Sequence, residues 1–277
     1  MRRDTRPPWL PKSWNGVGAA GACLVLLAVL VGACGRDGQP DRLVVFAATS
    51  LRDAFTTMSG PFEGAHPGVK VQFNFAGTQQ LRTQLEHGAT PDVFASADAR
   101  HMDALVAARL LFDPVIFAEN EPVVVVSTEA AGLVQSFEDL PKADRVVLGT
   151  ADVPIGRYTN QMLAKADATL GPGFRARVEA KVISRELNVR QVLAKVSLGE
   201  AQAGIVYRTD ARSAGARVTT VAIPPELNVT ASYPIAVAVG APNPDLARAW
   251  IDFVLSDAGQ RLLRAAGFTT PDTAGPP

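Results

Sequence analysis

Hydroxyl side chains stand at the mouths of helices in this chain, and they do so repeatedly. In VVFAATSLRDAF (44–55) an apolar run passes through two alanines into Thr49 and Ser50 and then into an amphipathic stretch. A second run, FNFAGTQQL (73–81), reaches Gly77 and Thr78 at the same kind of boundary, and after RVVLGT (145–150) comes ADVPIGRY, where Pro154 and Gly156 shape the turn. The first N–H groups of a helix have no intrahelical acceptor, and the aligned peptide dipoles place roughly half a positive charge there. Several helix starts aimed at one point would hold an anion with no cationic side chain. Taken singly, each hydroxyl also fits the plainer role of an N-cap. Their position at the C-terminal ends of apolar strands, where open α/β sheets take ligands, points to the anion.

Catalytic chemistry has less support. The chain contains no GxSxG elbow, no GxxxxGK[ST] loop, no GxGxxG after a strand and no HExxH. His66, His87 and His101 are not at ligand spacing from one another and read as solvated surface groups. Asp92 and Asp98 flank VFASA and read as a strand-start residue and a helix N-terminal acid rather than as an acid–base pair. Cys23 lies in an apolar run and Cys34 at its end, so no thiol remains further along for a disulfide, a metal or nucleophilic attack. The expectation is a non-enzyme with no resident cofactor or metal.

The elements that must position these hydroxyls alternate in kind. LVVFAA (43–48) reads as a buried strand; the helix after it sets Leu51, Ala54, Phe55, Met58 and Phe62 on one face. VKVQFNFA (69–76), the helix TQQLRTQLEHG (78–88), the strand DVFASA (92–97) and the helix ARHMDALVAARLL (99–111) complete three βα units, which predict a mainly parallel sheet covered by helices. A second α/β series begins at EPVVVVS (121–127) and runs through RVVLGT, a helix around GRYTNQMLAKA (156–166), the helix NVRQVLAKVSLGEA with Val189, Val192, Leu193 and Val196 on one face, and the strand AGIVY (203–207). YPIAVAV (233–239) is a strand that returns the chain to the first lobe, followed by an amphipathic helix carrying Leu246, Trp250, Ile251 and Val254 and a shorter one closing at Gly267. Periodicity alone leaves open which lobe receives this last segment; the expectation is the first.

The N-terminus reads as an export signal: Arg2, Arg3, Arg6 and Lys12 precede the apolar run GVGAAGACLVLLAVLVGAC, which is short for a spanning helix and ends on small residues before Cys34. LVGAC (30–34) resembles a bacterial lipobox, with Cys34 as the acylated residue; an uncleaved anchor helix with an incidental cysteine is the other reading. The chain is 277 residues long, 47% hydrophobic and 19% charged, enough for one large or two modest folded units. Of 27 basic and 27 acidic residues, the first 33 positions carry four basic and one acidic, which leaves 23 against 26. A mildly acidic body gives no reason to expect nucleic acid as a partner.

Over about residues 42–270 the chain resembles the periplasmic molybdate-binding proteins of ABC transporters. The resemblance is carried, in order, by VVFAATSLRDAF, FNFAGTQQLRTQLEHGATPDVFASAD, VPIGRY, NVRQVLAKVSLGEAQAGIVYRTDA and YPIAVAV. It implies a two-lobed periplasmic-binding-protein fold of type II, each lobe a mainly parallel sheet flanked by helices. The layout expected is a lipoprotein signal at 1–33, a tether at 34–41, a first lobe from 42–120 and 234–270, a second from 121–233, and a disordered tail at 271–277. The resemblance also implies a ligand, molybdate and with it tungstate, and a site. Ser50 matches the family's first serine; Thr78 stands where a second serine is common and adds a methyl group. Ile155, where a smaller residue is common, and Val189 would each donate a backbone N–H, and Tyr207 its phenol O–H. Without the resemblance, Val189 and Tyr207 read equally as core.

A buried dianion loses its hydration and needs many well-aimed donors, and bonds to an ionised partner are the strong ones. Donors alone would also disfavour hydrogen phosphate, whose proton needs an acceptor, while sulfate must be rejected by its smaller size. Arg52, Arg157, Arg190 and Arg208, next to the proposed contacts, read as solvated charges, with a role in holding the lobes together as the alternative. The whole reads as a monomeric, lipid-anchored extracytoplasmic receptor whose lobes hinge near Glu121 and Tyr233 and whose closed form is recognised by a membrane permease. A receptor for another oxyanion or small anionic solute, such as sulfate, is the alternative, and an exported enzyme on the same scaffold a more distant one.

Overall fold

The computed structural model describes residues 41–271; the expected export signal, Cys34 and the tail beyond Pro271 lie outside the described residues. Strand β1 (Asp41–Ala48) begins two residues before the expected apolar run and leads through a short 3₁₀ turn at Thr49–Leu51 into α1 (Arg52–Ala65). There follow β2 (Val69–Ala76), α2 (Thr78–Glu86), β3 (Val93–Ala95), α3 (Ala99–Ala107) and β4 (Leu111–Asn120). The chain then crosses to β5 (Pro122–Ser127), β6 (Val146–Gly149), α4 (Pro154–Thr169), α5 (Phe174–Glu179), β7 (Val182–Glu186), α6 (Val189–Ser197), β8 (Ala203–Tyr207), α7 (Arg208–Ala214) and β9 (Val218–Val221). It returns in β10 (Ala231–Ala238) and ends in α8 (Pro244–Leu255) and α9 (Asp257–Ala266).

Two five-stranded sheets result, in the orders β2-β1-β3-β10-β4 and β7-β6-β8-β5-β9. In the first, β1 runs parallel to β2 and β3, and β10 lies antiparallel between β3 and β4. In the second, β6 runs parallel to β7 and β8, and β5 lies antiparallel between β8 and β9. Each sheet is therefore mixed, and in each the reversed strand is the first the chain lays down on arriving from the other lobe. The result is a two-lobed α/β fold.

Local chemistry accounts for the elements. Pro154 opens α4 at a position where a missing N–H is harmless, Asn188 caps α6 by accepting from the Gln191 N–H at 3.1 Å, and Gly267 closes α9 at φ 103°. The buried face of α1 is Ala54, Phe55, Met58 and Phe62, as its spacing predicts. Trp250 of α8 is fully buried against it, with ring centroids 5.5 Å from Phe55 and 5.1 Å from Phe62, both edge-on, and 5.9 Å from Phe73 of β2.

Several boundaries differ from the sequence reading. The helix expected over 99–111 stops at Ala107, because Arg109 takes the left-handed conformation (φ 58°), and the residues beyond it form β4. Pro114 argues against a strand there, yet β4 is the sheet edge, where a missing N–H costs nothing. The strand expected over 92–97 is only three residues long, β7 and β9 were not anticipated, and β10 starts at Ala231 rather than 233.

Truncating Trp250 would empty the centre of this aromatic cluster. Trp250→Ala is expected to lower unfolding stability by about 3–5 kcal/mol, measured by urea titration followed by circular dichroism.

Candidate functional site

Strand register brings the hydroxyls level. In the parallel pair β1–β2, Ala48 lies opposite Ala76, so Thr49-Ser50 and Gly77-Thr78 leave the sheet side by side. In the second lobe Gly149 of β6 lies opposite Glu186 of β7, and β8 runs parallel on the other side of β6. The turns leading to Ile155 and Val189, and the last residue of β8, Tyr207, therefore emerge at one sheet end as well.

These two sheet ends face each other across a cavity lined by Ser50, Thr78, Ile155, Val189 and Tyr207, together with Thr49, Gly77, Asn188 and small apolar groups. No charged side chain lines it. The centre of a water-sized sphere can move through only about 10 Å³, so the space suits one small guest. All five residues singled out in the sequence are at most 4% exposed and lie around this one cavity.

The donors around it are incompletely used by the protein. Ile155 and Val189 occupy the first turns of α4 and α6, where N–H groups have no intrahelical acceptor. Thr78 begins α2, and its Oγ1 accepts from the Ala97 N–H at 3.2 Å. Ser50 Oγ accepts from the Tyr233 hydroxyl at 3.1 Å. The Tyr207 hydroxyl is buried with no protein partner, an arrangement that costs free energy unless a guest supplies an acceptor. Burial, and then the neighbouring Tyr233 phenol, push the Tyr207 hydroxyl well above its ordinary range, so it stays protonated and able to donate.

Two glycines permit this approach. A Cβ on Gly156 would lie 1.9 Å from the Thr150 carbonyl oxygen, so only glycine lets the start of α4 sit flush against the end of β6. Gly77 is a close approach between lobes: a Cβ there would lie 2.4 Å from the Leu187 carbonyl oxygen, although its φ of −61° suits any residue.

Charged groups gather outside the cavity, on the seam between the lobes, and several overturn the sequence reading. Arg190 is not a solvated charge: its Nη2 lies 2.5 Å from Asp53 Oδ2 in the other lobe and its Nε 2.7 Å from Asp210 Oδ1. The second contact is ionic rather than a directed hydrogen bond, because the N–H does not point along it. Burial pushes the Asp210 carboxyl up to about 6, against the pull of Arg190. Arg157 likewise reaches across, to fully buried Asp98 at 3.3 Å, while Arg52 lies over the Phe75 ring and Arg208 pairs with Glu121. His101, expected at the surface, is 2% exposed and its Nε2 lies 2.9 Å from the Asp152 carbonyl oxygen of the opposite lobe. Its burial follows from its place in the first turn of α3, which faces the seam. His66 stacks on Phe62 and His87 is exposed.

Asp98 caps α3 through the His101 N–H, and Asp92 accepts from the Val44 and Asn243 N–H groups. Neither carboxylate lines the cavity. Among the described residues no cluster of His, Cys, Asp or Glu is arranged to hold a metal. Tyr233, in the sequence only a marker of the crossing, reaches Ser50 through its hydroxyl, a contact with no local signal because the two lie 183 positions apart.

Comparison with known proteins adds an independent line. Residues 43–269 match the family model described as bacterial extracellular solute-binding protein. The molybdate-binding protein ModA of Mycobacterium tuberculosis is 38% identical over 270 residues, covering 93% of this chain and 99% of that one. ModA of Escherichia coli is 30% identical over 90% of this chain and 96% of its own length. The periplasmic molybdate-binding protein of Azotobacter vinelandii superimposes with a TM-score of 0.72 over 83% of this chain and 99% of that one; at 17% identity it supports the fold alone. The chain therefore belongs to the bacterial extracellular solute-binding proteins and, within them, to the family of the ModA proteins.

Proposed function

We infer that this protein is a receptor that captures molybdate, and tungstate with it, between its lobes and presents it to an ABC permease. The observation that carries the reading is the small cavity with unspent N–H and O–H donors and no charged side chain around it, above all the unpartnered Tyr207 hydroxyl. Ser50 and Thr78 would donate from the first lobe, and Ile155, Val189 and Tyr207 from the second. A tetrahedral dianion is the guest such a site suits, since each of its oxygens accepts and none must donate. Molybdate and tungstate are nearly equal in size and carry no proton near neutral pH, so both satisfy the site; hydrogen phosphate brings a proton with no acceptor to meet it.

Capture requires the lobes, 42–120 with 234–270 and 121–233, to open and close about the crossings near Glu121 and Tyr233. Export, acylation at Cys34 and monomeric action on the outer face of the membrane are parts of the same reading, supported by the basic and apolar leader and the LVGAC stretch.

Calorimetry of the soluble body with molybdate, tungstate, sulfate and hydrogen phosphate tests the ligand. Molybdate and tungstate are expected to bind; a preference for sulfate would transfer the site to the other oxyanion. Ser50→Ala and Tyr207→Phe each remove one donor to a charged guest and are expected to weaken molybdate binding by roughly ten- to a hundredfold. Unchanged binding in both variants would remove the site from this cavity.

Gly77→Ala tests closure separately. Its methyl group would collide with the Leu187 carbonyl across the seam; within its own lobe it would meet only the end of the Gln79 side chain, which can swing aside. Molybdate affinity is expected to fall at least about tenfold with little change in ligand-free melting temperature; an unaltered affinity would show that binding does not need the lobes this close.

A further inference from the structure

Ser50 is the one cavity hydroxyl whose hydrogen-bond role is set by another hydroxyl, and the direction of that bond can be traced. Asn120, at the end of β4 where the chain leaves the first lobe, accepts from the Glu121 N–H through Oδ1 at 3.0 Å. That bond fixes its carboxamide, so Nδ2 faces the other way and donates to Thr209 Oγ1 at 2.8 Å. The Tyr233 phenol, fully buried, donates to Ser50 Oγ at 3.1 Å. With one acceptor position of Ser50 taken, its proton is left to point into the cavity that Ser50 lines.

The Tyr233 ring is held to this task. It is fully buried and packs edge-on against Phe117 (6.4 Å), Tyr207 (5.8 Å) and Phe268 (5.3 Å). The β10–β4 register shifts between Tyr233 and Pro234, an irregularity of the kind that re-aims a side chain next to a site. The other first-lobe hydroxyl has the same arrangement by different means, since Thr78 Oγ1 accepts from the Ala97 N–H.

We propose that Tyr233 is a positioning residue for the bound anion: by donating to Ser50 Oγ, its hydroxyl biases Ser50 toward donating into the cavity. A free serine hydroxyl is amphoteric and turns readily to accept from a protonated guest; one that already accepts from a tyrosine has a single lone pair left and is more readily held as a donor. Tyr233 does not touch the guest and acts only through Ser50. The inference rests on the reading of the cavity as an oxyanion site.

A double-mutant cycle with molybdate as the probe tests it, using Tyr233→Phe, Ser50→Ala and the double variant, with calorimetric affinity and ligand-free melting temperature as readouts. Tyr233→Phe alone is expected to weaken molybdate binding by about three- to tenfold, with a melting temperature close to wild type. In the Ser50→Ala background the same change is expected to alter affinity by less than about twofold, since the group it orients is gone. An equal loss in both backgrounds, or no loss in the first, overturns the inference and leaves the oxyanion site standing. A wild-type protein that does not bind molybdate overturns the reading of the site and takes this inference with it.

Discussion

A buried donor without an acceptor is costly, and this fold collects several of them around one small volume. The starts of α4 and α6, the hydroxyls of Ser50 and Thr78 and the phenol of Tyr207 lie around a space of about 10 Å³ at the sphere centre, and no carboxylate or cation enters it. Many buried polar groups find partners inside the protein: Asp92 takes two N–H groups, and Asn120 joins Glu121 to Thr209. Tyr207 is one of several that do not, and among those it is the one that lines the cavity. A group that a protein leaves unsatisfied at a strand end, facing its counterparts from another sheet, is poised for a guest that only accepts.

The rest of the structure keeps that volume small and free of charged side chains. Two sheets of matching strand order place their strand ends opposite each other, and glycines at 77 and 156 remove the side chains that would hold the backbones apart. Charged side chains stay out of the cavity, and several gather on the seam. Arg190 with Asp53 and Asp210, and Arg157 with Asp98, join the lobes while remaining outside the cavity. Lysine or arginine in the cavity would bind many anions through charge alone; fixed neutral donors bind through geometry and number, which is a more selective criterion.

The aromatic cluster behind Ser50 ties the cavity to the crossings between the lobes. Tyr233 lies on the strand that returns the chain to the first lobe, Asn120 at the end of the strand that leaves it, and Tyr207 at the end of the strand beside the crossing. Groups around the cavity are thus anchored where the chain crosses between the lobes.

The amino-acid sequence by itself determined the alternation of strands and helices, the apolar faces of α1 and α6, and the hydroxyls and helix starts at successive strand ends, because these depend on spacing within one element and on caps a few residues away. It also carried the five cavity residues, through local stretches that resemble a family. It did not reveal β4, β7 and β9, short or edge strands whose pairing partners lie far along the chain, nor did it distinguish His101, Arg157 and Arg190 from surface groups. Their environments are made by a second lobe that no local window contains. Only the tertiary structure decided which donors remain unspent, since the partner of Ser50 is Tyr233, 183 positions away, and the satisfaction of a hydrogen bond is a property of both ends.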